Sequence, residues 1–249
     1  MREKKEVRPM KRGKKPAGPA NVDSGQWKHV LKCEEEPVLT LDLRWPRLPD
    51  ENAALRRISR YYQRFADQWK ARWEAALYAR ACAALAEARE NSRPFQPWQA
   101  QLVYTVTYNE NGLLSLFSDA YEYTGGAHGM TVRCADAWNL TDGSPRSLSS
   151  FFPPRSRWRR QVLEAVRTQI AARLATGESV YFDDWEKKAE TEFDPGRFYL
   201  TQEGVTVFYP LYTLAPYVEG MPAFTIPWPL PPELPKEEPP EQPSDQKKQ

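Results

Sequence analysis

Apolar side chains recur with a period of two from Val38 to Trp45, where Leu39, Leu41, Leu43 and Trp45 alternate with Val38, Thr40, Asp42 and Arg44. That period predicts a strand with one buried face, stopped by Pro46 and Pro49. The spacing then changes. Leu55, Ile58, Tyr62, Phe65, Trp69, Trp73, Ala76 and Leu77 recur every three or four residues, the stripe of a long amphipathic helix. Asp50 stands where a side chain can accept hydrogen bonds from the first free N–H groups. Arg56, Arg57, Arg60 and Arg64 fall off the stripe, on a face expected to be solvated. Past Leu77 the pattern thins into an alanine- and arginine-rich continuation ended by Pro94.

Alternation returns with Leu102, Tyr104, Val106 and Tyr108 set against Val103, Thr105 and Thr107, followed by a turn at Asn109–Gly112. LLSLFSDAYEY and TVRCADAWNL add two strands, and SPRSLSSFF is expected to close a meander of three or four antiparallel strands. A helix over Ser156–Ala175 follows, with Gly177 where a left-handed C-terminal residue belongs. A short helix in DDWEKKAETEF and a hairpin of RFYLT and VTVFY around Gln202–Gly204 come next. This order predicts an α+β fold, an antiparallel sheet (meander plus hairpin) packed against one long and one or two shorter helices.

Composition trims both ends. Residues 1–16 carry eight Lys/Arg against two Glu, whereas the whole chain is only +2, so residues 17–249 carry −4. The basicity belongs to a tail, and the globular part offers no strong field for nucleic acid. Pro227–Pro243 holds eight prolines in 17 residues, too poor in N–H donors and apolar surface to fold. The expected organisation is a disordered basic tail over 1–25, one domain over 26–230 with a possible subdivision near 97, and a Pro/Glu-rich tail over 231–249. No apolar h-region follows the basic N-terminus and no stretch is long enough to span a membrane, which predicts a soluble chain. Cys33, Cys82 and Cys134 lack metal-ligand spacing and are expected to be reduced thiols.

The candidate chemistry lies in Tyr123–Met130, YTGGAHGM, which concentrates three of the 12 glycines and one of the two histidines. A catalytic His128 would need an orienting acid and a nucleophile or water within reach; Glu122, Asp119 and Asp136 are near in sequence. The chain has no G-x-S-x-G elbow, P-loop or dinucleotide fingerprint. The simpler expectation is a turn or bulge at Gly125 and Gly126, which accept positive φ or close backbone approach, with His128 hydrogen-bonded locally.

The segments YEYTGGAHGMTVRCADAWNLTDG, SLSSFF and FYLTQEGVTVFYPLYTLAPYVEGMPAFTIPW resemble the extracytoplasmic domain of the anti-sigma-V factors of Firmicutes, over roughly Pro37–Trp228. That domain also occurs in some peptidoglycan deacetylases and in uncharacterised bacterial proteins. The resemblance implies a non-enzymatic module that binds lysozyme or another cell-wall-related protein. Residues 1–25 are too short and polar to supply the sigma-binding segment and membrane helix of such factors, so sigma-factor control is not expected. The resembled family lies outside the membrane, although no export signal is visible here.

The leading expectation is thus a bacterial binding or sensory module of the cell envelope, without enzyme activity, cofactor or metal. Its binding residues are expected among Tyr121, Tyr123, Gly125, Gly126, His128, Tyr212, Tyr217 and Gly220. An enzyme acting on cell-wall glycan or peptide, using His128 with Asp136 or Glu122, is the alternative. Nucleic-acid binding through the basic tail is a second.

Overall fold

The computed structural model describes residues 18–228, so residues 1–17 of the tail expected over 1–25, and all of the tail expected over 231–249, lie outside the described residues. Eight strands form two sheets, one of five strands and one of three. In the first, β1 (Asp23–Cys33) and β2 (Glu36–Arg47) make an antiparallel hairpin. The boundary drawn at residue 25 therefore lies inside a strand, and Ala20 is already tied to the Asn109 side chain by two hydrogen bonds. Pro46 does not stop β2, because it sits opposite Ser24 and the strand ends one residue later.

The long helix follows as α1 (Ala53–Arg72), a π turn (Trp73–Leu77) and α2 (Tyr78–Glu90). Its cap is Asn52, whose side chain accepts from Ala54 N at 2.9 Å and Leu55 N at 3.0 Å. Asp50, expected in that role, pairs with Arg56 at 2.8 Å instead. Ile58, Tyr62, Ala66, Trp73, Leu77, Ala81 and Leu85 are buried along the helix, so the stripe continues past Leu77. Ala76, expected on it, is exposed. The stripe packs on Leu39, Leu41, Leu43, Ala100, Leu102, Leu114 and Leu116 of the first sheet.

The helix returns the chain so that β3 (Trp98–Glu110) runs parallel to β2, over the pairs Leu39↔Trp98 to Leu43↔Leu102. β3, β4 (Leu113–Tyr123) and β5 (Met130–Asn139) are the expected meander. Asn111 and Gly112, at φ 53° and 74°, form the two-residue turn between β3 and β4, the left-handed pair that Asn-Gly favours. One expectation fails at Thr107, where the β3–β4 register shifts. Val106 pairs with Leu116 but Tyr108 with Ser115, so Tyr108 points to the opposite face from Tyr104 and Val106. SPRSLSSFF is not a strand either: it makes one bridge, Trp138↔Pro145, and a 3-10 turn over Leu148–Phe151.

The flipped face meets a second layer. α3 (Trp158–Thr176) and α4 (Trp185–Thr191) precede β6 (Phe198–Leu200), β7 (Gly204–Phe208) and β8 (Ala223–Pro227), which form a separate antiparallel sheet. Tyr108 joins Val162, Val166, Ile170, Val207, Tyr209 and Phe224 in its core. Ser115 Oγ fastens the layers, donating to Asp136 O at 3.0 Å and accepting from Leu200 N at 3.0 Å. The fold class is α+β as expected, with two sheets in place of one. Among the described residues no helix is long and apolar enough to cross a membrane.

Candidate functional site

The glycine-rich loop between β4 and β5 folds back on its own strand. Gly125 and Gly126 have φ of 89° and 95°, a conformation in which a Cβ is strained even though open space surrounds both. The close backbone approach belongs to Gly129: a Cβ there would collide with the Tyr121 ring and meet Glu122 O at 2.6 Å. Tyr123 OH donates to Gly126 O at 3.0 Å, closing the loop. Tyr121 and Tyr123 therefore shape the loop from beneath.

This places His128 against a segment 84 residues away in sequence. Its ring stacks on Tyr217 with centroids 3.8 Å apart and planes 16° from parallel. Nδ1 lies 3.0 Å from Gly129 O, an acceptor only, so Nδ1 carries the proton and Nε2 accepts from Tyr212 OH at 3.1 Å. Tyr212 holds φ at 61°, the left-handed region, and is 45% exposed. An aromatic residue in that conformation carries strain of the kind that gathers at functional positions. Gly220, at φ 67°, ends the turn Tyr217–Glu219, and Val218 at its tip is 85% exposed. The eight expected residues thus lie in one loop, the strand end that shapes it, and the segment it touches; His128, Tyr212 and Tyr217 form the direct cluster.

The carboxylates considered for catalysis are engaged elsewhere. Glu122 accepts from Trp73 Nε1 at 2.7 Å and faces Arg72 at 3.7 Å. Asp136 accepts from Tyr61 OH at 3.3 Å and Tyr62 OH at 3.2 Å beneath the long helix. Neither is paired with His128, whose two ring nitrogens are both occupied. Among the described residues no group of three or more His, Cys, Asp or Glu is placed to hold a metal ion.

Burial pushes the Asp136 carboxyl above its ordinary 3.8, against the lowering pull of the two tyrosine hydroxyls. A raised folded-state pKa means the native state keeps a proton that the unfolded chain has released. Stability should be greatest below about pH 4 for this group and fall as pH rises through the raised pKa. Asp136→Asn, which can still accept from a tyrosine hydroxyl, should remove that dependence. In urea unfolding at pH 4 and pH 7, the variant should gain on the parent as pH rises; parallel curves would show that Asp136 does not titrate this way.

Two features escaped sequence reasoning. Arg133 makes a two-pronged ion pair with Asp119 at 2.8 and 2.7 Å while its guanidinium lies 3.7 Å over the Phe117 ring. β5 is also an edge strand, covered at its C-terminal end by the bridge to Pro145 and the bond from Arg146 N to Ala137 O. Its start, beside His128, carries Met130 and Val132 at 47% and 55% exposure. The strand itself was expected from Thr131 onward, but that its start is a free sheet edge depends on strand order, which local spacing does not show.

Residues 32–131 match the family model described as "Deacetylase PdaC", and residues 149–229 match "Protein of unknown function (DUF3298)". The first segment supplies His128 and the second Tyr212 and Tyr217, so the cluster forms where the two meet. A DUF3298 family protein from Bacteroides fragilis shares the fold at a TM-score of 0.64 and 19% identity, over 86% of this chain and 92% of that one. One from Pseudomonas aeruginosa does so at 0.58 and 22%, over 85% and 92%. A comparison with curated proteins finds no match.

Proposed function

We propose that this chain is a non-enzymatic binding module of the bacterial cell envelope, recognising a cell-wall-related protein with lysozyme as the first candidate. The observation that carries this reading is the exposed cluster of His128, Tyr212 and Tyr217, with Tyr212 in a strained backbone state. Tyrosines present a large amphipathic surface at low entropic cost, and interfaces concentrate their energy in such side chains. The open start of β5 extends the surface with Met130, Val132 and unpaired backbone groups that a partner strand can bond. Together they offer the mixed apolar and polar character of a standard interface, about 800 Å² per partner.

Calorimetry of the full chain with lysozyme at moderate and high salt tests it. Residues 17–249 carry −4 and hen-type lysozymes are strongly basic, so attraction that vanishes with salt is only net-charge screening. One-to-one binding that survives high salt, and weakens at least about tenfold in Tyr217→Ala with the fold intact, is the expected result.

A second reading, an enzyme on cell-wall glycan or peptide, draws on the deacetylase model matched by residues 32–131. The engagement of Glu122 with Trp73 and Arg72 and of Asp136 with Tyr61 and Tyr62 weighs against it, since neither carboxylate is left to orient His128. Peptidoglycan turnover lost in His128→Ala, without lysozyme binding, would establish it instead.

A further inference from the structure

Towards the far end of β5 from the aromatic cluster's loop, four shallow grooves of about 440 to 750 Å³ follow one another, and neighbours share a wall. Arg60 stands between the first two, Pro145 between the second and third, and Trp158 between the third and fourth. Their walls hold ten arginines, no lysine and five carboxylates. Most of the carboxylates are already engaged: Asp50, Glu164 and Glu190 pair with Arg56, Arg160 and Arg167. Asp136 accepts from Tyr61 and Tyr62. Asp142 is the further acid near this face, close enough to Arg146 and Arg57 for both to help lower its pKa behind its bonds from Ser144.

Arg57, Arg60 and Arg64 project from one face of α1, and Arg157 and Arg159 from the start of α3; none makes an ion pair among the described residues. Arg146 lies between the two groups, and its Nε is buried without a hydrogen-bond partner. Like charges one turn apart destabilise a helix, and cations at a helix N-terminus oppose its dipole. This face thus gives up stability to hold positive charge in a globular part that is otherwise acidic.

We propose that this face is a binding track for a linear chain of linked phosphate groups. Guanidinium forks match phosphate oxygens in pairs, and an all-arginine lining selects that geometry over the point charge of lysine. The track crosses helix faces and a turn, and where it meets the edge strand β5, at Ala135–Ala137, the bridge to Pro145 and the bond from Arg146 N already take up that edge, so an extended peptide would find little backbone ladder. Tyr61 is its one exposed large aromatic ring, too few for reading bases by stacking. The contacts are to the charged backbone of the polymer alone.

The test uses the full chain, with fluorescence anisotropy of labelled inorganic polyphosphate across a salt series. Oligothymidylate and polyglutamate of equal charge, and orthophosphate, serve as competitors. Parent protein should bind polyphosphate, and R57E/R60E/R64E should bind it at least about tenfold more weakly. The same variant should flatten the logarithmic salt slope by roughly two, at about 0.7 for each phosphate no longer neutralised by an arginine. The neutral R57Q/R60Q/R64Q serves the same purpose if the glutamates unfold the helix. A second variant, with the eight Lys/Arg of residues 1–16 changed to glutamine, should keep most of the affinity. Binding abolished in that variant but kept in the helix variant would overturn the track in favour of the tail. Stronger competition by oligothymidylate, polyglutamate or orthophosphate would overturn the ligand class, and no binding to polyphosphate would overturn both.

Discussion

Trp73→Ala is expected to cost about 3–5 kcal/mol of unfolding free energy, the range for emptying a buried aromatic site. Trp73 is fully buried between the long helix and the first sheet, at the start of the π turn, and donates to Glu122 at 2.7 Å. Its removal opens a cavity and leaves a partly buried carboxylate with only the more distant Arg72. For a domain of this size the melting temperature should fall by on the order of 10 °C. Calorimetry or urea unfolding reads the result; a loss under about 1.5 kcal/mol would mean that the helix recloses over the gap.

Gly129→Val should be the more damaging change within the loop, by about 1–3 kcal/mol or more, because a branched side chain would press on Glu122 O and the Tyr121 ring. Gly126→Val meets open space and carries only the cost of its backbone conformation. His128→Ala should cost less than Gly129→Val, since it removes one stacked ring near the surface. The Gly129 change should also disturb binding, because Gly129 O fixes the His128 tautomer. Thermal unfolding of the three variants orders them. If Gly126→Val proved the most harmful, the loop would be held by its left-handed residues and not by its packing against β4.

Much of this was legible from periodicity. β2, the long helix, the meander and α3 each bury mainly one face, and a single buried face is what leaves a period in a sequence; the β6–β7 hairpin, with β7 buried at every position, was legible from its turn at Gln202–Gly204. β1 was missed because the face it packs on the core, through Trp27, Leu31 and Cys33, is only half-buried and is interrupted by the exposed His29. The parallel join of β2 to β3 also left no mark, since pairing direction is a property of the connection and not of either strand. Tyr108 was assigned the wrong face because one extra residue at Thr107 reverses the alternation beyond it. For the site, the composition of YTGGAHGM drew attention to His128, and tyrosine content drew it to Tyr212 and Tyr217. Their meeting across 84 residues, and the pairing of Arg133 with Asp119 across two strands, depend on register, which local spacing does not encode.

The parallel join also governs how the chain can assemble. β1 with β2, and β3 with β4, are hairpins whose partners are near neighbours and can close within microseconds. The two meet along only the five pairs from Leu39↔Trp98 to Leu43↔Leu102, separated by the whole long helix. That seam has the sheet's largest loop-closure entropy and few ladder bonds to offset it, so it should form late, once the helix has packed across both hairpins. Until then each hairpin exposes an unpaired edge, β2 on one and β3 on the other. During synthesis the first waits through the whole of the long helix before its partner exists, and it is then that this chain is most open to pairing with a second copy of itself.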